Sequence, residues 1–198
     1  MLKQLSIVIS PKPVLRQVAK EVPVDKIKSP KMQELILQMK ETLRNTDNGV
    51  GLAAPQVGEL LKIFLVSEEA EYVDNKKRDS DANIQMHTND TNKVERIERK
   101  KDWRYFIYIN PVVKKISKSK IEYPEGCLSV PGKFGFVNRS EKITVEAYDE
   151  NGKKFIRGAS KFYARVIQHE LDHLNGVLFI DKVERFIDIP KNESGIKN

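Results

Sequence analysis

His169, Glu170 and His173 stand in the order H-E-x-x-H, inside a stretch whose apolar spacing predicts a helix. Residues four apart on an α-helix share a face, so both imidazoles can reach one divalent metal ion. Glu170, beside the first imidazole, is then placed to take a proton from water at that ion. The chemistry implied is metal-assisted hydrolysis of a carbonyl compound. Two histidines four apart can also be one core residue and one surface residue. The chain has three histidines in 198 residues, however, and two of them fall in this motif. A hydrolytic metal site of this kind usually has three protein ligands and one open position. No histidine follows His173, and the nearest downstream carboxylates, Asp181 and Glu184, have no recognised spacing. The single cysteine, Cys127, lies upstream. A lone cysteine is more often a small buried residue than a ligand, and the residues alone leave both readings open.

These side chains need elements to hold them. Ser160 is positioned to cap the motif helix, Phe162, Val166, Leu171 and Leu174 give it buried contacts, and Asn175-Gly176 stops it. Val177 to Ile180 reads as a strand or extended exit. An earlier helix starts at Ser29-Pro30, carries Met32, Leu35, Ile36, Met39 and Leu43 at helical spacing, and ends at Asn48-Gly49. Lys62–Val66, Tyr105–Ile109, Ile143–Tyr148 and Lys153–Arg157 read as strands, the last two joined at Asn151-Gly152 as a hairpin. Strands mixed with two main helices, without regular βαβ alternation, predict an α+β fold. Its sheets are expected to be antiparallel or mixed, around the helix that carries the metal motif.

Between two of these strands, residues 67–104 are dense in charged and amide side chains, which predicts a long surface insertion. A short helix is expected over 93–101, with His87 solvated and Trp103 anchoring the end of the insertion. Pro190 and the polar residues 191–198 read as a loose end. No repeat or linker divides the rest, so residues 1–198 are expected to form a single catalytic domain interrupted by the insertion.

The formal net charge is +7, with 32% charged and 39% hydrophobic residues. That balance suits a partner carrying phosphate or a negative surface, or simply a basic exterior. Neither an arginine-rich tract nor an aromatic-basic repeat argues for specific nucleic-acid recognition. One cysteine excludes an internal disulfide framework and fits a reducing compartment. No apolar run approaches a membrane span, and Met1–Ser10 lacks the features of a secretory signal. The expectation is a soluble protein of a bacterial cytoplasm, or of an organelle with its transit segment removed.

Three longer motifs then converge on one family. Gly49-Val50-Gly51-Leu52-Ala53-Ala54-Pro55-Gln56-Val57-Gly58, Glu125-Gly126-Cys127-Leu128-Ser129-Val130-Pro131-Gly132 and Gln168-His169-Glu170-Leu171-Asp172-His173-Leu174-Asn175-Gly176 resemble the three signature motifs of peptide deformylases. They occur in that family's order, and the resemblance runs from about Ile7 to Val183 apart from the insertion.

The resemblance implies hydrolysis of the N-formyl group from the initiator methionine of new polypeptides, with release of formate. It implies Cys127, His169 and His173 as metal ligands. Fe²⁺ is the implied native ion, with Zn²⁺, Ni²⁺ or Co²⁺ able to take the site. It assigns Glu170 the proton transfers and gives the charge on the formyl oxygen to the Gln56 amide and the Leu128 N–H. Val50 and Gly51 are implied to pair with an extended substrate. Val50, Tyr123, Phe162, Val166 and the His169 ring are implied to enclose the methionine side chain, with Arg165 near the rim. Formylated nascent peptides and a transient ribosome contact are the implied partners.

The chain departs from the family pattern at Lys12, where an acidic residue is usual, in the length of the 67–104 segment, and in its short end after Pro190. That end puts the family's usual route of ribosome docking in doubt. A related hydrolase acting on another N-acyl group or a peptide needs the same metal and base. A non-catalytic ribosome-associated factor with a structural metal needs neither Glu170 nor Gln56.

Overall fold

A computed structural model describes residues 4–46, 49–73 and 103–188. The expected helix at 93–101, His87 and the end from Pro190 onward lie outside the described residues.

The central element is strand β2 (Ile63–Ser67), buried along its whole length. A strand with both faces covered loses the polar alternation of a half-exposed one. Ile63 and Leu65 enter one apolar cluster with Ile36, Met39 and Leu43 of helix α1 (Pro30–Arg44). Phe64 and Val66 enter another with Tyr163, Ala164, Val166 and Ile167 of helix α2 (Lys161–Leu174). The two helices therefore cover opposite faces of one sheet. Its strand order is β1 (Gly51–Ala53), β2, β3 (Tyr105–Ile116), β6 (Lys142–Tyr148), β7 (Lys154–Ser160), with antiparallel neighbours throughout. A second sheet has the order β4 (Lys120–Cys127), β5 (Val130–Ser140), β8 (Val183–Phe186) and is also antiparallel. It packs through Val130 and Val137 on Leu15, Leu178 and Phe179. The fold is α+β, as expected.

Several local expectations need correction. Ser29 and Ser160 occupy the N-cap positions, but neither side chain makes a capping hydrogen bond. Helix α1 stops at Arg44, ahead of Asn48-Gly49. The expected extended exit over 177–180 is partly a 3₁₀ turn, Phe179–Asp181. Here the Asp181 carboxylate accepts the Leu178 N–H at 2.9 Å and so favours a local turn over a ladder.

At the insertion, the Glu68 N–H donates to the Arg104 carbonyl at 2.8 Å, and the Trp103 ring meets Tyr72 with centroids 5.4 Å apart. The two ends are thus clasped beside β2 and β3, with Trp103 at the end where it was expected. Among the described residues, no helix is long and apolar enough to cross a membrane.

Candidate active site

Helix α2 is the scaffold. Its core side, led by Tyr163, Ala164 and Ile167, is fixed against the large sheet. That leaves Phe162, Val166, His169 and Glu170 along the wall of a cavity of about 340 Å³. The opposite wall comes from β4 and the turn into β5, including Gly126, Cys127 and Leu128. The near edge is Gly49–Gly51 and Gln56. The three sequence motifs, more than 100 residues apart at their extremes, meet in this space.

Cys127, His169 and His173 each offer one donor atom, and these atoms lie within 4.8 Å of one another. Cys127 Sγ is 3.2 Å from His173 Nε2. His169 donates or accepts through Nδ1 toward Glu125 Oε2 at 3.1 Å, which leaves its Nε2 for the shared space. One sulfur and two imidazole nitrogens suit iron, cobalt, nickel or zinc, without selecting among them. Buried beside them, Glu170 Oε2 has no hydrogen-bond partner among the described residues. Buried polar atoms are rarely left so in a finished site, and the orphan sits where a metal-and-water centre needs an acceptor. The cluster fits one metal ion.

The electrostatics agree with that arrangement. Burial, against the pull of His169 and His173, holds the Glu170 carboxyl up at about 7. Burial and the neighbouring His169 push His173 down to about 4. Burial also works against a charged His169, yet its contacts with Cys127 and Glu125 outweigh it and raise that ring to about 10. The pocket thus favours charge on His169, a neutral His173 and a Glu170 carboxyl that exchanges its proton near neutrality.

Gln56 is held by the turn that precedes it. Pro55 is the second residue of a 3₁₀ turn, Ala54–Val57, and Gly58 closes it at φ +87°, in the left-handed region that glycine adopts without a Cβ penalty. The Ala53 N–H donates to Gln56 Oε1 at 2.8 Å, so the amide nitrogen must point the other way. It lies 3.6 Å from Cys127 Sγ and 3.3 Å from Ser129 Oγ. Gly51 lies directly under Glu170. A Cβ there would sit 2.9 Å from the Glu170 carboxyl carbon and 3.0 Å from Val166 Cγ1, closer than side chains tolerate.

Most of the expected site residues meet here. Glu170, Gln56, Leu128, Val50, Gly51, Phe162, Val166, Cys127 and His169 line the cavity, and His173 is buried behind Cys127. Tyr123 does not line it: the residue is 38% exposed, and its ring packs against the Arg165 guanidinium 5.6 Å away. Arg165, expected near the rim, does line the cavity. It is buried, and it donates to Glu125 Oε1 at 2.6 Å, Ile121 O at 2.6 Å and Val137 O at 3.0 Å.

The sequence reading missed a buried ionic network behind the ligands. Glu125 accepts from Arg139 Nε at 2.6 Å and from Arg139 Nη2 at 2.8 Å. Arg139 also donates to Asp172 at 2.8 Å, and Asp172 in turn accepts from Lys182 at 2.6 Å. Burial would raise the Glu125 carboxyl, but hydrogen bonds from His169 and Arg139 hold it far below the usual range. A carboxylate behind a ligand histidine fixes the ring's orientation and raises its basicity. Glu125 was within reach of the reading, since it opens the second motif. Arg139 had no local signal.

A sequence model of the polypeptide deformylase family matches residues 4–187. Peptide deformylase 1A, chloroplastic, of Solanum lycopersicum is 34% identical over 171 residues, which are 86% of this chain and 56% of that protein. Peptide deformylase 1A, chloroplastic/mitochondrial, of Arabidopsis thaliana is 35% identical over 177 residues, 89% of this chain and 60% of that one. The chain therefore spans somewhat over half the length of these relatives. Among solved structures, the class I type b peptide deformylase of Acinetobacter baumannii with bound Met-Ala-Ser superposes with a TM-score of 0.71 at 28% identity. That match covers 92% of this chain and 100% of the other.

Proposed function

The chain belongs to the polypeptide deformylase family, and from that membership we propose that it removes the N-formyl group from the initiator methionine of newly made polypeptides, releasing formate. The observation that carries the proposal is the meeting of Cys127, His169 and His173 with Glu170 and Gln56 in one cavity with apolar walls. In this reading residues 1–198 act as one catalytic domain.

Cys127, His169 and His173 would hold a single divalent ion, Fe²⁺ natively, with Zn²⁺, Ni²⁺ or Co²⁺ as substitutes. When bound, it supplies Lewis acidity toward water and toward the carbonyl oxygen. Glu170 takes the proton from the attacking water and delivers it to the leaving amine, a double role that suits a carboxyl poised near neutrality. Charge growing on the formyl oxygen needs donors already in place. The Gln56 amide nitrogen, pinned by Ala53, and the backbone N–H of Leu128 fill that role. Val50 and Gly51 pair with the extended peptide, and the missing Cβ of Gly51 lets the backbone lie against Glu170. Val50, Phe162 and Val166 enclose the methionine side chain, while Tyr123 stays outside the cavity wall. The Met-Ala-Ser bound to the Acinetobacter baumannii enzyme has the chemistry of such a peptide after its formyl group has gone.

Formylated starts come from translation of the bacterial type. We therefore place the protein in a bacterial cytoplasm or, as the names of the two plant relatives suggest, in an organelle, with transient contact to the ribosome. The test compares formyl-Met-Ala-Ser with acetyl-Met-Ala-Ser on protein loaded anaerobically with Fe²⁺. Formate release from the first, with the second at least about 100-fold slower, supports the proposal. Release of acetate but not formate would assign the same residues to a different N-acyl hydrolase.

A further inference from the structure

The net charge is +7. Lys118 and Lys120 flank the turn from β3 to β4, Lys142 opens β6, and Lys161 opens α2. These positions are far apart in sequence but share one corner. The Ser117 N–H donates to the Lys142 carbonyl at 2.9 Å, the Glu141 N–H to the Ser119 carbonyl at 3.0 Å, and the Lys161 N–H to the Glu141 carbonyl at 2.9 Å. Lys120 pairs across the small sheet with Ser140, and Lys142 across the large sheet with Ser160.

All four lysines are exposed. None makes an ion pair with a described residue, whereas Lys40, Lys62, Lys154 and Lys182 each have a carboxylate partner. The nearby acids are engaged or partly buried. Glu122 pairs with Arg185 and Glu146 with Lys154, while Glu141 is half-buried in the corner itself. Four exposed lysines at one corner, with Glu141 the only acid within it among the described residues, leave it locally basic, a field that closely spaced anionic groups complement.

The corner also borders the cleft mouth. Lys161 precedes Phe162 of the cavity wall, and the Ile121 carbonyl, next to Lys120, is bound by the Arg165 side chain that supports the same wall.

We propose that the corner formed by Lys118, Lys120, Lys142 and Lys161 is a docking surface for the phosphate backbone of structured RNA, placed to bring the cleft mouth toward it. The proposal rests on the reading that the substrate is a nascent peptide, which emerges from an RNA-rich machine. Phosphate contacts fix position without reading bases, so the surface needs none of the recognition motifs that this sequence lacks.

The test uses the full chain and a fluorescein-labelled RNA hairpin of about 30 nucleotides, followed by anisotropy between about 50 and 200 mM KCl. One variant carries K118A, K120A, K142A and K161A. A control carries K12A, K20A, K28A and K31A, which removes the same charge from exposed lysines elsewhere. The corner variant should bind at least about tenfold more weakly, with the slope of log K against log salt reduced by about 3, while the control stays within about threefold of wild type. Equal weakening of both variants, or of neither, overturns the proposal. So does a corner variant that loses binding to phosphatidylserine vesicles but keeps the RNA. Melting midpoint and turnover of free formyl-Met-Ala-Ser are measured on the same samples and should be unchanged in the corner variant. A wild-type protein that binds RNA through the corner but releases no formate would defeat the functional reading and leave the docking surface standing.

Discussion

Glu170 has a buried carboxylate oxygen with no hydrogen-bond partner among the described residues, beside three converging donor atoms. Its neutral isostere keeps the shape and removes the base. Glu170→Gln is therefore expected to lower kcat for formate release by roughly 10²–10⁴-fold while metal content by elemental analysis stays at one ion per chain. Glu125 should behave differently. It holds His169 and neutralises two buried arginines, so Glu125→Gln leaves Arg139 and Arg165 short of charge. Metal affinity is expected to fall by roughly 10–100-fold in competition with a chelator, with a loss of stability of about 3 kcal/mol or more by urea denaturation. The candidate ligands, Glu170 and Gln56 could be nominated because each sits in a run of residues whose types state their chemistry. Arg139 could not: it comes from the far end of β5, and only folding places it between Glu125 and Asp172.

Helix α2 and the short β1 segment meet so closely that Gly51 has no room for a side chain. Gly51→Ala should push Glu170 and Val166 aside, and a shift of about 1 Å at reacting groups can cost on the order of 100-fold in rate. A steady-state assay should show that loss mainly in kcat/KM. The turn that ends α2 makes a different prediction. Gly176 has φ +70°, and a Cβ there would lie 2.6 Å from the Arg16 carbonyl. Gly176→Ala combines left-handed strain with a backbone clash and should cost about 2–3 kcal/mol, or roughly 4–12 °C of melting temperature by calorimetry. Gly132→Ala shares the positive φ, +72°, but meets nothing within 4 Å, so only the strain of about 1 kcal/mol is expected. The helices and the β6–β7 hairpin could be read because their apolar spacing matches their burial. Strand β4 could not: five of its first six residues are exposed or only partly buried, so no alternation marks it. β1 is only three residues long.

Across the molecule, two helices lock opposite faces of the large sheet, and the small sheet closes the cleft over the metal-binding side of α2. The candidate ligands thus come from two separately packed parts, Cys127 from the small sheet and the histidines from α2. An ion bound there would cross-link them. Loading the metal-free protein with Zn²⁺ or Co²⁺ should therefore raise its melting temperature, by an increment that grows with free metal concentration. Cys127→Ala should abolish that increment while leaving the metal-free midpoint within a few degrees. The α+β class followed from the order of elements in the sequence, but the division into two sheets did not, because the pairing of β5 with β8 depends on residues about 50 apart. The most direct test is formate release from formyl-Met-Ala-Ser by anaerobically Fe²⁺-loaded wild-type and Glu170→Gln protein at equal metal content. The wild type should release formate and the variant should be at least about 100-fold slower. Formate release at equal rates from the two proteins, or none from the loaded wild type, would contradict a deformylase site built around Glu170.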